Sequence, residues 1–200
     1  MKARTITISR QYGSGGHEVA KKLSEALGLP CYDNEVISLA AKESGAQLWE
    51  FQMAENLRDT NFIYNLSMIA PHSDIQEEPY SVKLFRAQSE AMAELAERGP
   101  AVFVGRCGNF VLRQDSEAVH FFICGSLAKR TERAVAQYGL AERGAQREVD
   151  RVDRQRAAYY GVNTSWRWGD GSYYDLVINT DRLGVDGAVA TILDYLNQLE

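Results

Sequence analysis

The fold is decided near the N-terminus by the stretch Thr5-Ile6-Thr7-Ile8-Ser9-Arg10-Gln11-Tyr12-Gly13-Ser14-Gly15-Gly16-His17-Glu18-Val19-Ala20. Its first residues alternate β-branched side chains as a strand does, and from Val19 the apolar residues recur at helical spacing. Glycines between the two elements allow positive φ angles and close backbone approach, so successive N–H groups can converge on an anion at a helix N-terminus. The stretch therefore predicts a phosphate-binding loop, and a simple tight turn is the alternative interpretation.

The composition is that of an ordinary globular protein. The chain has 200 residues, of which 45% are hydrophobic and 24% charged, and this predicts one domain over residues 1–200. A net charge of -5 and a pI near 5.3 argue against general binding to nucleic acid or to an anionic membrane. The three widely spaced cysteines suit reduced thiols, and no apolar stretch has the length of a signal peptide or a membrane span. We therefore expect a cytoplasmic protein.

Short apolar runs alternate with helical periodicity along the rest of the chain. After the first strand, strands are predicted at residues 29–33, 101–104, 118–125 and 174–180. Helices are predicted after Val19, near residues 34–44 and 54–68, and at residues 84–98 and 185–199, with two more inside residues 126–160. This order indicates an α/β fold with a parallel sheet between helical layers. An exposed apolar face on the helix at 54–68 would allow a homodimer.

Two charged residues are predicted to follow strands at the edge where open parallel sheets bind ligands. Arg106 lies between two glycines directly after the buried strand at 101–104, and its forked donors suit a phosphate. An ion pair with an acid such as Asp33 is the alternative role for this arginine. Asp33 ends the second strand, where contact with a ligand competes with a role as a turn or helix-capping acid.

Arginines are concentrated in residues 126–160. Arg130 and Arg133 lie three residues apart and share a helix face. Acidic residues are interleaved among them, so a solvated, salt-bridged helix explains any single arginine. The accumulation of arginines in a chain of net negative charge instead indicates a lid over phosphates.

With these elements placed, the chain resembles the cytidylate kinase-like proteins over nearly its whole length. The marks of the resemblance are Ile8 to Gly16, Tyr32-Asp33, Val104-Gly105-Arg106-Cys107, the Asp150-x-x-Asp153-x-x-Arg156 pattern with Tyr159-Tyr160, and Ile178-Asn179-Thr180. The resemblance implies a P-loop fold of three layers, with a five-stranded parallel sheet and a helical lid over 126–160. It implies ATP-dependent phosphorylation of CMP or dCMP with Mg²⁺, and an acceptor-binding insertion at about 46–83.

The resemblance also implies roles for individual residues. The ATP phosphates would lie on the backbone of Gly13, Ser14, Gly15, Gly16, His17 and Glu18. Arg106 and Arg156 would bind the acceptor phosphate, Asp153 would lie near the acceptor ribose, and Asp33 near the acceptor pocket. Arg130 and Arg133 would neutralise the transferring phosphoryl group.

Two residues depart from the pattern of true cytidylate kinases. Gly16 stands where they have the P-loop lysine, and Val104 stands where they have an aspartate before Gly-Arg. We hypothesise that Arg10 replaces the lysine and that Glu18 or Asp33 helps to hold the metal. The chain is thus interpreted as a nucleoside monophosphate kinase. The alternatives are a non-catalytic nucleotide sensor and a kinase of another small acceptor.

Overall fold

The computed structural model describes residues 4–33 and 80–199. Its elements, in chain order, are β1 (Ile6–Arg10), α1 (Gly16–Leu27), β2 (Cys31–Tyr32), α2 (Tyr80–Glu97), β3 (Val102–Val104), α3 (Gly108–Val111), β4 (Val119–Cys124), α4 (Leu127–Tyr138), α5 (Ala145–Thr164), a 3₁₀ turn (Gly171–Tyr173), β5 (Leu176–Asn179) and α6 (Thr180–Gln198).

The five strands form one parallel sheet in the order β2-β3-β1-β4-β5, which confirms the predicted sheet. Ile8 of β1 lies opposite Val104 of β3 on one side and Phe121 of β4 on the other. Since all strands run the same way, their carboxyl ends share one edge of the sheet. The loop after β1 therefore lies between the ends of β3 and β4, at the position where α/β sheets bind ligands.

Helices cover both faces of the sheet, which makes three layers. On one face, Ile6, Ile8, Val102 and Val104 pack with apolar side chains of α1 and α6. On the other face, Phe103 packs with Met92 of α2, with Val111 of α3 and with Leu112, which directly follows α3. β3 is a continuous apolar run because alternate side chains enter two different cores.

The element boundaries that differ from the sequence prediction include those of β2 and of the last helix. β2 has two residues instead of the predicted five, and it is an edge strand. The last helix begins at Thr180 instead of Val185, because the Asn179 side chain accepts a hydrogen bond from the Asp181 N–H at 2.8 Å and caps an earlier turn. A kink at Gly184 separates that turn from the amphipathic part that the apolar pattern detects.

Several predictions fall outside the described residues. These are the helices near 34–44 and 54–68, the dimer face on the second of them, and all of the predicted acceptor-binding insertion except residues 80–83. Among the helices at 16–27 and 80–198 there is none whose length and hydropathy would let it cross a bilayer.

The loop after β1 packs directly against the backbone of α4. Gly13 has a φ of +79°, and a Cβ atom at this residue would overlap the carbonyl oxygen of Arg130, with the carbonyl carbon 2.9 Å away. Gly139, which ends α4, has a similar φ of +71° but nothing within 4 Å of the same position. Both positions therefore favour glycine because of their positive φ. Of the two, only Gly13 would also bring a side chain into collision with a neighbouring element.

We expect Gly13→Ala to destabilise the protein more than the matched control Gly139→Ala. The control adds only the strain of a left-handed alanine, about 1–2 kcal/mol, whereas Gly13→Ala must also displace α4, for a total of about 3–5 kcal/mol. The free energies of unfolding in urea measure the difference. Equal losses in the two variants would show that the loop and α4 are not in contact.

Candidate functional site

The loop between β1 and α1 presents backbone amides. Gly15 adopts a left-handed conformation at the start of α1 and supplies no side-chain cap. Within the described residues the first turn, Gly16 to Glu18, is thus left uncapped at the positive end of the helix dipole. The Ser14 hydroxyl donates to the carbonyl of Gln11 at 2.8 Å, which closes the loop on itself. This geometry suits a bound anion.

The side chain of Arg10 crosses the site from one glycine to another. A Cβ atom on Gly16 would overlap the Cβ of Arg10 and would lie 2.9 Å from its Cγ. A Cβ atom on Gly105 would overlap Nη1 of Arg10 and would lie 3.2 Å from Cζ. The Arg10 stem therefore fills the space where a side chain at position 16 would begin, and its guanidinium lies over the end of β3.

Three arginines meet at this edge of the sheet, and we call Arg10, Arg106 and Arg156 the arginine cluster. Burial, then the charges of Arg156 and Arg106, lower the pKa of Arg10 to about 9, and Asp33 offsets this in part. Burial also lowers the pKa of Arg156, which donates to the carbonyl oxygen of Arg10 at 2.8 Å. Like charges held together away from water are unfavourable, and an anion among them removes the cost.

Aromatic rings hold two members of the cluster. The Arg106 guanidinium lies 5.3 Å from the ring centroid of Tyr159, and that of Arg156 lies 5.6 Å from the ring centroid of Tyr12. Arg106 also has a positive φ of 50°, which is uncommon outside glycine and accompanies functional turns. The strand end, the turn and the ring together fix the direction of the Arg106 side chain.

Arg133 approaches the loop from α4. Its Nη2 atom lies 3.3 Å from Oε1 of Glu18, and the Tyr138 hydroxyl donates to the same oxygen at 3.2 Å. The Nε atom of Arg133 is buried and has no hydrogen-bond partner in the described residues, and it lies 3.3 Å from the position that a Cβ on Gly15 would take. A buried donor without an acceptor beside a phosphate loop is an observation that a bound anion would explain.

Arg130 and Asp153 lie against the loop itself. Arg130 is 6% exposed, and its Nη1 atom donates to Asp153 Oδ2 at 2.5 Å and to the carbonyl of Tyr12 at 2.9 Å. Asp153 Oδ1 accepts from the Tyr12 N–H at 2.7 Å. The resemblance implied contacts of these side chains with the transferring phosphoryl group and the acceptor ribose, and those roles stay predictions. The hydrogen bonds that Arg130 and Asp153 make are with the loop, with the carbonyl of Gly125 and with each other.

A cavity of about 250 Å³ opens beside Gly13. Its lining includes Arg130 and Arg133 from α4, and Thr180, Asp181 and Gly184 from the start of α6. The Thr180 hydroxyl donates to the carbonyls of Ser14 and Cys124 at 2.9 and 3.1 Å, so the start of α6 is tied to the loop. Sequence reasoning missed this wall, although Ile178-Asn179-Thr180 marked the end of the last strand.

The described residues offer little for a protein-bound metal. Among residues 4–33 and 80–199 no group of three His, Cys, Asp or Glu side chains is close enough to hold an ion. Glu18, the predicted metal ligand, contacts Arg133 and Tyr138. His17 is exposed at the first turn of α1. The role of Glu18 as a metal ligand therefore stays a prediction.

Comparison with known proteins identifies relatives of this chain in sequence and in structure. A family model described as the cytidylate kinase-like family matches residues 5–182. A protein named cytidylate kinase from Pyrococcus horikoshii is 27% identical, over 98% of this chain and 89% of the relative. The crystal structure of an uncharacterized protein from Eubacterium ventriosum is 26% identical, covers 97% of this chain and 98% of that chain, and superposes with a TM-score of 0.74. A shikimate kinase from Acinetobacter baumannii, 13% identical with a TM-score of 0.55 over 100% of this chain and 96% of that one, shares the P-loop kinase fold.

The arginine cluster predicts a trade-off between stability and anion binding. At pH 7 Arg10 is charged in both the folded and the unfolded chain, and only the folded chain crowds it against other arginines. We therefore expect Arg10→Met, which keeps the stem and removes the charge, to raise the melting temperature of the ligand-free protein. The same variant should gain less stability from added inorganic pyrophosphate than wild type, for which about 2.7 kcal/mol is expected at a hundredfold excess over Kd.

Arg10→Lys is the matched control, since it keeps a positive charge on a similar stem and should keep most of the response to pyrophosphate. Thermal unfolding with and without pyrophosphate gives all of these values. An Arg10→Met variant that responds to pyrophosphate as wild type does would show that Arg10 does not face the anion.

Proposed function

The chain belongs to the cytidylate kinase-like family, and we propose that it is an ATP-dependent nucleoside monophosphate kinase that converts CMP or dCMP to the diphosphate. The observation that carries this proposal is the arginine cluster beside an uncapped helix N-terminus. Such an arrangement offers two adjacent anion sites, one on backbone amides and one on guanidinium groups. Transfer of a phosphoryl group between two phosphate-bearing substrates needs both of these anion sites. We also propose a cytoplasmic location, because ATP and nucleotides are found there.

The donor would lie on the loop. In the proposed complex the amides of Gly13 to Glu18 hold the ATP phosphates, and the cavity beside Gly13 receives the rest of the nucleotide. The unpartnered Nε of Arg133 supports a phosphate contact at Gly15. Magnesium, when bound with ATP, neutralises charge on the phosphates.

The acceptor would lie at the end of β3. Arg106 and Arg156 bind its phosphate in the proposed complex, and Asp33, which follows β2, lies near the acceptor pocket. Phosphoryl transfer needs no covalent intermediate: an acceptor phosphate oxygen attacks the γ-phosphorus in line, and the bond to the bridging oxygen of ADP breaks. The guanidinium of Arg10, over Gly105, lies between the two anion sites and would stabilise the charge that develops during transfer.

The first test is ADP release from MgATP with CMP, dCMP, UMP, AMP, GMP and dTMP as acceptors. We expect turnover with CMP or dCMP, and a loss of at least about a hundredfold in kcat/KM in Arg106→Ala, because a phosphate contact is removed. Arg98→Ala is the matched control. Arg98 is exposed before β3, at the opposite edge of the sheet, and its removal should leave turnover unchanged.

The outcomes of this assay separate the alternatives. Nucleotide binding without turnover on any acceptor would favour a non-catalytic sensor. Turnover that appears only when the screen is extended to small acceptors other than these nucleotides would favour a kinase of another small molecule.

The positions of Arg10 and Gly16 predict that a lysine at position 16 is tolerated only when Arg10 is removed at the same time. In the motif G-x-x-x-x-G-K-[ST], counted back from Gly15, Arg10 stands at the first glycine and Gly16 at the lysine. Because the Arg10 stem fills the space above Gly16, we expect Gly16→Lys alone to lower activity and stability, by about 1–3 kcal/mol for the overlap. The double variant Arg10→Gly/Gly16→Lys should recover much of both, since it restores one cation and removes the clash.

Kinetics and urea unfolding of the two single variants and the double variant measure the exchange. Strictly additive losses would show that the two positions are independent and that Arg10 does not do the work of the lysine.

A further inference from the structure

An ion pair between two neighbouring helices encloses one residue of the phosphate loop. Arg130 of α4 and Asp153 of α5 are joined at 2.5 Å, and their side chains are only 7% and 14% exposed. Asp153 accepts from the Tyr12 N–H, and Arg130 donates to the Tyr12 carbonyl. Both polar groups of the Tyr12 backbone are therefore engaged by the two ends of one ion pair, in a closed ring of hydrogen bonds.

The ring is held from outside as well. Nε of Arg130 donates to the carbonyl of Gly125 at 2.9 Å, which fixes the guanidinium plane relative to the end of β4. Next to the ring, Gly13 packs against the backbone of Arg130. The Gln11–Tyr12 peptide, which carries the Tyr12 N–H, and the Tyr12–Gly13 peptide, which carries the Tyr12 carbonyl, therefore cannot rotate without breaking buried charge-assisted hydrogen bonds. Rotation of the Tyr12–Gly13 peptide would also redirect the Gly13 N–H, one of the amides proposed to hold the donor phosphates.

The two charged residues of the Asp-x-x-Arg element face different partners. Both oxygens of Asp153 already accept hydrogen bonds, one from the loop and one from Arg130. One helical turn later, Arg156 donates to the carbonyl of Arg10 and belongs to the arginine cluster. The element thus joins the donor loop and the acceptor arginines through a single turn of α5.

We propose that Asp153 and Arg130 are positioning residues that fix the two peptides on either side of Tyr12, and so set the donor phosphate loop. This rests on the proposed function for the identity of the donor. It makes the ion pair a determinant of ATP affinity in the absence of any acceptor.

The test compares Asp153→Asn with wild type. Asparagine keeps an oxygen for the Tyr12 N–H but loses the charge that orients Arg130, so the loop should loosen. We expect MgADP binding without acceptor, measured by calorimetry, to weaken by on the order of tenfold to a hundredfold. The KM for ATP should rise by a larger factor than the KM for CMP, because Asp153 binds the loop directly and reaches the acceptor site only through its charge on Arg156. Glu148→Gln, which removes a surface partner of Arg151 on the same helix, is the matched control and should change none of these values.

Three further measurements guard against a variant that merely fails to fold. Arg130→Lys keeps the charge, and it should lose less MgADP affinity than Arg130→Met. In both Asp153→Asn and Arg130→Met, hydrogen exchange at the Tyr12 amide should accelerate while exchange in the β1 amides stays slow. The double variant Asp153→Asn/Arg130→Met should lose less MgADP affinity than the sum of the losses in the two single variants. Each single variant already breaks the ion pair and leaves the other residue buried without its partner.

The opposite results are equally clear. A raised KM for CMP with unchanged MgADP affinity would place Asp153 on the acceptor and overturn the proposal. An unchanged Tyr12 exchange rate would do so as well. If MgADP affinity behaves as expected while no acceptor is turned over, the proposed kinase activity fails and the positioning role stands. If the wild-type chain binds neither MgADP nor pyrophosphate, both fail.

Discussion

The repulsion among three guanidinium groups at one edge of the sheet is the constraint on which the rest of the site depends. Arg10, Arg106 and Arg156 are brought together by β1, β3 and α5, and burial lowers the pKa of two of them. Such crowding persists in a folded protein only when the surrounding structure stabilises it, and here that structure is a sheet with apolar layers on both faces. For the proposed function, such an arrangement would be preorganised for anions before any anion binds.

This arrangement explains why small residues surround the cluster. The Arg10 stem needs the space above Gly16, and its guanidinium needs the space above Gly105. A lysine at position 16, as in the usual phosphate loop, is incompatible with Arg10 in its present position. The glycine at 16 is thus the counterpart of the arginine at 10, and a cation enters the site from the strand instead of the helix.

The loop itself is held by residues that lie far away in the chain. Asp153 and Arg130 engage the backbone of Tyr12, and Thr180 donates to the carbonyl of Ser14. These hydrogen bonds come from α5, α4 and α6, so helices that the sequence suggested as a lid also form the support of the loop. The loop backbone is therefore held at Tyr12 and at Ser14 by three different helices.

The sequence by itself determined the order of strands and helices, the parallel sheet, and the edge where Arg10, Arg106 and the glycine loop meet. These follow from local rules, since apolar periodicity sets each element and parallel strands place their carboxyl ends together. Only the tertiary structure decided where Asp153 and Arg130 point, and that Thr180 and Asp181 form one wall of a cavity. A spacing such as Asp-x-x-Arg places two side chains on the same turn of a helix, but it does not specify their partners. The partner of Asp153 in the loop, Tyr12, lies more than 100 residues away in the sequence. Packing of whole helices against the loop selects those partners, and no local pattern encodes it.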